Sequence, residues 1–196
     1  MTRLLLVLLF AGFRCPAQPL ELGVYGGQSR LSKATLGSIA NSPGAASDYS
    51  LDGGFRLGFR VTTNTDTIFG HEFGYGYNRT QLVFDSAVGQ RQGMAIHQGT
   101  YNYLVYATRE GRKIRPFVTG GVHFSNFVPP GASATQGGGT TKFGVNYGAG
   151  LKIRVSPMFL IRFDLRQYGT PKPFELFNRS NWLRQHEYSI GFSFVL

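Results

Sequence analysis

From Leu20 onward, apolar and polar positions alternate with a period of two, which predicts strands with one oily and one polar face. The last segment is the clearest. Tyr188, Ile190, Phe192, Phe194 and Leu196 share one side, and Glu187, Ser189, Gly191 and Ser193 share the other. The same alternation predicts seven earlier strands. Leu20, Leu22 and Val24 oppose Glu21, Gly23 and Tyr25, and Phe55, Leu57, Phe59 and Val61 oppose Arg56, Gly58 and Arg60. Phe69, Phe73, Tyr75 and Tyr77 oppose Gly70, Glu72, Gly74, Gly76 and Asn78. Tyr101, Tyr103 and Val105 oppose Thr100 and Asn102, with Leu104 and Tyr106 blurring the pattern. Val118, Val122 and Phe124 oppose Thr119, Gly121 and His123. Phe143, Val145, Tyr147, Leu151, Ile153 and Val155 oppose Gly144, Asn146, Gly148, Lys152 and Arg154. Phe159, Ile161, Phe163 and Leu165 oppose Arg162, Asp164 and Arg166.

The connections alternate in length. Long polar loops are predicted at 31–50, 82–93, 128–141 and 169–185, and short turns at 63–66, 108–113 and 156–158. Eight strands with short turns on one rim and long loops on the other predict an all-β fold, an eight-stranded antiparallel up-and-down transmembrane β-barrel. In such a barrel the short turns face the periplasm and both ends of the strand run lie on that rim.

Alternation alone does not say which face is inside, and a soluble barrel with an oily interior has the same period. Three features favour an oily exterior. The glycine-and-charge phase makes a poor solvent face but suits a narrow lumen, because eight strands enclose little more than their own side chains. Tyr75, Tyr77, Tyr147, Phe159 and Tyr188 are expected near strand ends, where interfacial girdles belong. The chain also closes on a strand, without the helix that soluble lipocalin barrels carry. The lumen is then expected to hold Glu21, Arg56, Arg60, Glu72, Lys152, Arg154, Arg162, Asp164, Arg166 and Glu187 as an ion-pair network. Charges in so tight a space cost several kcal/mol each unless paired.

Composition agrees. The 196 residues include 27 glycines, 17 phenylalanines and 10 tyrosines, with 15% charged residues. No run approaches the ~20 apolar residues of a spanning helix, whereas a barrel strand needs only ~9–11. Arg3, the apolar run from Leu4 to Phe13 and the small Ala17 predict a signal peptide over residues 1–17, followed by the barrel over 18–196. The single cysteine, Cys15, falls inside that peptide, so no disulfide is expected in the barrel. Phe13 and Arg14 before it argue against a lipoprotein signal. The formal charge of +10 is spread singly along strands. With no nucleic-acid motif present, its expected partner is the outer-membrane lipid surface with its anionic lipopolysaccharide, not nucleic acid.

Phe143 to Lys152, followed by Arg162-Phe163-Asp164-Leu165-Arg166, resembles the late strands of porin-family outer-membrane β-barrel proteins of the OmpA/OmpX type. Pro116 to Gly121 is similar to their fifth strand. The resemblance covers nearly all of the barrel and implies a monomer in the bacterial outer membrane. It also implies that Tyr188, Ile190, Phe192 and Phe194 present a terminal signal to the barrel-assembly machinery, although the chain ends Phe194-Val195-Leu196 where that signal carries a final aromatic residue. Such a resemblance implies fold and place more than activity.

Candidate chemistry is sparse. His123-Phe124-Ser125-Asn126 resembles the His-x-Ser-Asn string of the PagL lipid A deacylases, in which serine is the nucleophile and histidine the base. In that family the string lies on the penultimate strand with a glutamate close by. Here it lies on the fifth, no acidic residue follows before Asp164, and His123 and Ser125 fall on the lumen phase. His71 lies on an aromatic face and reads as interfacial, while His97 and His186 stand singly near loops. No zinc-like spacing or phosphate loop is present, so no metal and no cofactor is expected. The expected function is a structural or surface-interaction barrel with a side-chain-filled lumen. The alternatives are a narrow anion-preferring pore and a lipid A-modifying enzyme resembling PagL.

Overall fold

The structure is a computed structural model that describes residues 19–32, 37–42, 45–65, 68–85, 91–132, 138–171 and 182–196, with side chains described for all of these except 37–42, 45–49 and 84–85. The expected signal peptide lies outside the described residues. Ten strands follow in chain order: β1 Leu20–Leu31, β2 Gly37–Ser42, β3 Ala45–Leu51, β4 Gly54–Thr63, β5 Phe69–Asp85, β6 Arg91–Tyr106, β7 Ile114–Val128, β8 Thr140–Arg154, β9 Phe159–Thr170 and β10 Leu183–Val195. Eight of them close a barrel in the order β1-β4-β5-β6-β7-β8-β9-β10. Every pairing is antiparallel, and the ring is sealed where β1 meets β10, from Glu21 opposite Val195 to Leu31 opposite Gln185. Closure leaves these eight strands without a free edge.

Exposure decides which face is inside. Phe143 is 75% exposed, Val24 63% and Phe192 59%, whereas Arg56 is 0% and Arg162 1% exposed. Oily side chains cover the outside and guanidinium groups lie within, the inverse of a soluble barrel. The ambiguous strand resolves the same way, with Tyr101, Tyr103 and Val105 outward and Asn102, Leu104 and Tyr106 inward.

The predicted loops are shorter than the sequence suggests. The segment 31–50 contains the hairpin of β2 and β3, and β3 pairs with the upper end of β5 from Asp48 opposite Asp85 to Leu51 opposite Leu82. The Ser, Ala and Gly content of this hairpin hides it from a pattern search, because its pairing is carried by backbone and gives no oily stripe. The segment 82–93 is largely strand as well, with β5 reaching Asp85 and β6 starting at Arg91. The chain thus continues as sheet above the barrel proper.

That extension corrects the expected girdle. Phe159 does open β9, but Tyr75, Tyr77, Tyr147 and Tyr188 fall near the middle of their strands. A tilted barrel strand climbs ~2.5 Å per residue. Counted from the rim of short turns, these four tyrosines therefore stand about 15–20 Å up, and the strands run on beyond them.

Two glycines make room for the interior. Gly58 and Gly76 are directly paired across β4 and β5. A Cβ on Gly58 would lie 2.5 Å from the Tyr25 ring, and one on Gly76 would lie 2.5 Å from Arg56 Nη2. The bare backbone forms the bay in which Tyr25 and Arg56 lie.

Candidate functional site

The interior is built from alternate residues of all eight barrel strands and sorts into layers. At mid-height, three guanidinium groups meet two carboxylates. Arg162 Nη1 lies 2.5 Å from Glu72 Oε2, and its Nη2 lies 2.9 Å from Asp164 Oδ1. Arg166 Nη2 donates to Glu72 Oε1 at 2.7 Å and to Asp164 Oδ1 at 3.0 Å. Arg60 Nη1 donates to Asp164 Oδ2 at 2.7 Å. Glu72 comes from β5, Arg60 from β4 and the other three from β9, which stands opposite β5 in the ring. The lattice therefore crosses the full lumen. Each carboxylate accepts charge-assisted hydrogen bonds from at least two arginines, which is what allows charge to stay buried.

Above this lattice, Arg56 Nε lies 2.8 Å from Glu187 Oε2, and Glu187 also accepts from the hydroxyls of Tyr168 and Ser189, each at 2.8 Å. Arg56 Nη1 donates to Gln98 Oε1, and Gln98 Nε2 donates to Ser125 Oγ at 2.8 Å and Gln185 Oε1 at 3.1 Å. The Tyr168 ring lies 5.1 Å from the Arg56 guanidinium carbon and the Tyr25 ring 4.0 Å from that of Arg60, both within cation–π range. Below the lattice, Lys152 Nζ donates to Glu21 Oε2 at 2.5 Å and Tyr106 Oη at 2.7 Å. At the rim of short turns, Glu110 accepts from Arg115, from Arg154 Nη2 at 2.9 Å and from Asn64 Nδ2 at 3.1 Å.

An oily layer caps the charges at the upper end, and a smaller oily cluster on β6 and β7 lies among those at the lower end. Leu31, Leu51, Met94, Ile96, Phe127 and Leu183 pack inside the upper barrel, and Leu104, Tyr106 and Phe117 pack near the lower mouth. Water-excluding layers lower the local dielectric and strengthen the enclosed ion pairs.

Nine of the ten expected lumen residues are buried within the barrel: Glu21, Arg56, Arg60, Glu72, Lys152, Arg162, Asp164, Arg166 and Glu187. Arg154 departs, since its side chain is 26% exposed and turns to Glu110 at the rim. Its place near the end of β8 carries it below the enclosed volume. The reading by alternation put Tyr25 on the inner phase but missed Arg115, Glu110, Tyr106, Tyr168 and both oily clusters. Strand parity, extended two to six residues further, finds Arg115, Tyr168, Leu31, Phe127 and Leu183. Glu110 carries no such signal because it lies in a turn.

His123 and Ser125 are brought inside, 3% and 0% exposed. His123 Nε2 lies 2.9 Å from Thr170 Oγ1 with its ring edge-on to Tyr168, and Ser125 Oγ accepts from Gln98. Among the described residues no hydrogen bond joins the two and no carboxylate bonds to His123, so the base–nucleophile contact of a deacylase is not formed here. The other three histidines all sit on strands and point outward. His71 Nδ1 lies 2.8 Å from Tyr101 Oη, and His97 Nδ1 lies 2.5 Å from Tyr75 Oη, so His97 is part of an aromatic wall and not a loop residue. His186 is exposed on β10. No group of three or more His, Cys, Asp or Glu suited to a metal occurs among the described residues.

An oily outside around a charged core is the design of a sheet that lives in hydrocarbon, where every backbone amide must be paired within the protein. The family profile described as outer membrane protein beta-barrel domain matches residues 4–195. The chain belongs to this family. It is a protein of the bacterial outer membrane. Solved structures share the fold. OprG from Pseudomonas aeruginosa superposes with a TM-score of 0.69 at 13% identity, covering 92% of this chain and 96% of that one. Neisserial surface protein A gives 0.61 at 12% identity, covering 89% and 96%. The outer membrane protein AlkL, solved in DMPC lipid bilayers, gives 0.59 at 16% identity, covering 93% and 95%. No curated protein sequence matches the chain.

Proposed function

We propose that this outer-membrane barrel is sealed and acts through its outside, in a structural or surface-interaction role, and does not pass solutes through its lumen. One observation carries this reading: Glu72 and Arg162, from opposite walls, are each about 1% exposed and joined at 2.5 Å, so the interior is bridged by side chains at mid-height. The oily layer above adds a further barrier. The surfaces left for function are the lipid-facing wall and the end opposite the short turns, where β2 and β3 extend the sheet beyond the barrel. That end faces the cell exterior in barrels of this kind.

A narrow anion pore would need the cationic lumen groups free to meet an ion. Arg60, Arg162, Arg166 and Arg56 are each already engaged by a carboxylate. The test is chloride efflux from vesicles holding the refolded protein, paired with planar-bilayer recording. The sealed reading expects efflux equal to protein-free vesicles and no stable current steps. Stable anion-selective steps abolished by Arg60→Ala would replace it with the pore.

A further inference from the structure

The outer wall is not uniform. Across β4, β5 and β6 it is paved with rings, including Phe59 against Tyr75 and Phe73 against Tyr101, with centroids 5.4 and 4.9 Å apart. Across β8, β9, β10 and β1 the outward positions drop to Gly26 and Ala149 between the taller Leu151, Phe163, Leu165 and Ile190. The result is a groove of about 690 Å³, open to the side and almost wholly apolar. This lies within the range of volumes that hold small ligands. Tyr188 and Leu165 also line a second, smaller hollow of about 220 Å³ directly above, together with Tyr147, Gln167 and His186.

A basic cluster sits at the top of this path. Arg30 of β1 is directly paired with His186 of β10, and Arg184 lies two residues further up the same strand. All three are exposed, and no ion pair to an acidic side chain engages any of them among the described residues. Arg30 stands ten residues above the start of β1, about 25 Å up the wall, which is the height of the apolar band of such a barrel. Trp182 packs over the bare backbone of Gly169, the residue paired with Arg184. Basic groups at the outer boundary, Tyr147 and Tyr188 beneath them and an apolar groove below match an amphipathic anion, charged at its head and oily in its tails.

We infer that this wall is a binding site for one phosphorylated, multiply acylated saccharolipid of the outer leaflet. Arg30, Arg184 and His186 take the headgroup phosphate, and the groove over Gly26 and Ala149 takes an acyl chain. The inference rests on the reading of a sealed barrel that works at its surface. The phosphate is held by charge-assisted hydrogen bonds at the membrane boundary, where two guanidinium groups act with less screening than in bulk water. The acyl chain fills the hollow over Gly26 and Ala149.

The test uses the full chain refolded into phosphatidylcholine vesicles. Trp182, the only tryptophan of the chain, reports binding through quenching by diphosphorylated lipid A with spin-labelled acyl chains. The expected result is saturable quenching at one lipid per barrel. Each arginine at an anionic lipid surface contributes about fivefold, so Arg30→Ala with Arg184→Ala weakens binding by roughly 25-fold. Ala149→Phe fills the groove without changing charge and also weakens binding several-fold. Heat-modifiable gel migration checks that each variant is folded, and His186→Ala serves where the double variant is not. Quenching that survives both the charge and the groove variants overturns the proposal. So does equal competition by phosphatidylglycerol, or by inorganic phosphate alone. Loss of the lipid site with chloride efflux still absent leaves the sealed-barrel reading intact, whereas efflux from wild type removes that reading whatever the lipid result.

Discussion

Glu72 and Arg162 belong to strands on opposite sides of the barrel, yet their side chains meet at 2.5 Å in its centre. Neither is reachable by water to any useful extent. Each is long enough to cross half the lumen of an eight-stranded barrel, and the pair therefore spans a width that shorter residues would leave open. Arg166 and Asp164 bracket this contact and share its charge. In the sealed barrel proposed above, this crossbar adds to the ladder of backbone hydrogen bonds.

The glycine bay gives the first prediction. Gly76→Leu places carbon where the Arg56 guanidinium and the Tyr25 hydroxyl now lie, 2.5 and 2.7 Å from the first added atom. Overpacking of this kind costs about 1–3 kcal/mol. The folded, heat-modifiable fraction in a urea titration is expected to fall at lower urea than in wild type. The outward Leu57, one residue from Gly58, is expected to tolerate Leu57→Phe with little change.

Lipid contact gives the second. Val24 is 63% exposed on the oily face, four residues above the start of β1 and close to mid-bilayer. Val24→Arg is expected to lose about 2–4 kcal/mol in vesicles, while Gln28→Arg, near the outer boundary, loses at most about 1 kcal/mol. The unfolding midpoints of the two variants in the same vesicles check this depth dependence.

These two sites also mark how far the sequence could be read. The residues that share a face with Val24 or with Gly76 follow from parity, because a sheet cannot turn one residue without turning its neighbours, and the narrow lumen then sets the glycine-and-charge face inside. The eight barrel strands and the burial of Glu21, Arg56, Glu72 and Asp164 were legible for the same reason. The partner of each charge was not, since Glu72 and Arg162 are ninety residues apart and their meeting depends on stagger around the ring. The β2–β3 hairpin was hidden because its Ser, Ala and Gly content breaks any oily stripe before Leu51. The oily layer of Leu31, Ile96 and Phe127 was written in the parity but lay past the predicted strand ends.

The lower mouth gives the third prediction. Glu110 gathers Arg115, Arg154 and Asn64 at the rim. Glu110 and Arg154 are partly exposed but Arg115 is buried, so Glu110→Ala weakens the hold on a buried guanidinium and is expected to destabilise by about 1–3 kcal/mol. It leaves the mid-height lattice intact, and chloride efflux is expected to remain at the protein-free level. Faster amide exchange confined to the Thr108–Lys113 turn is the expected signature.

The crossbar itself is tested by a double-mutant cycle at Glu72 and Arg162, measured as unfolding free energy in vesicles. Glu72→Ala leaves three buried guanidinium groups sharing Asp164 and is expected to cost about 3–5 kcal/mol, whereas Arg162→Ala leaves Glu72 held by Arg166 and Asp164 by Arg60 and is expected to cost less. A pair joined in a dry interior gives a coupling energy above about 1.5 kcal/mol, with the double variant losing less than the sum of the two. A coupling of roughly 0.5 kcal/mol or less, the range of water-exposed pairs, would mean that these side chains do not meet across a closed lumen, and would contradict the account.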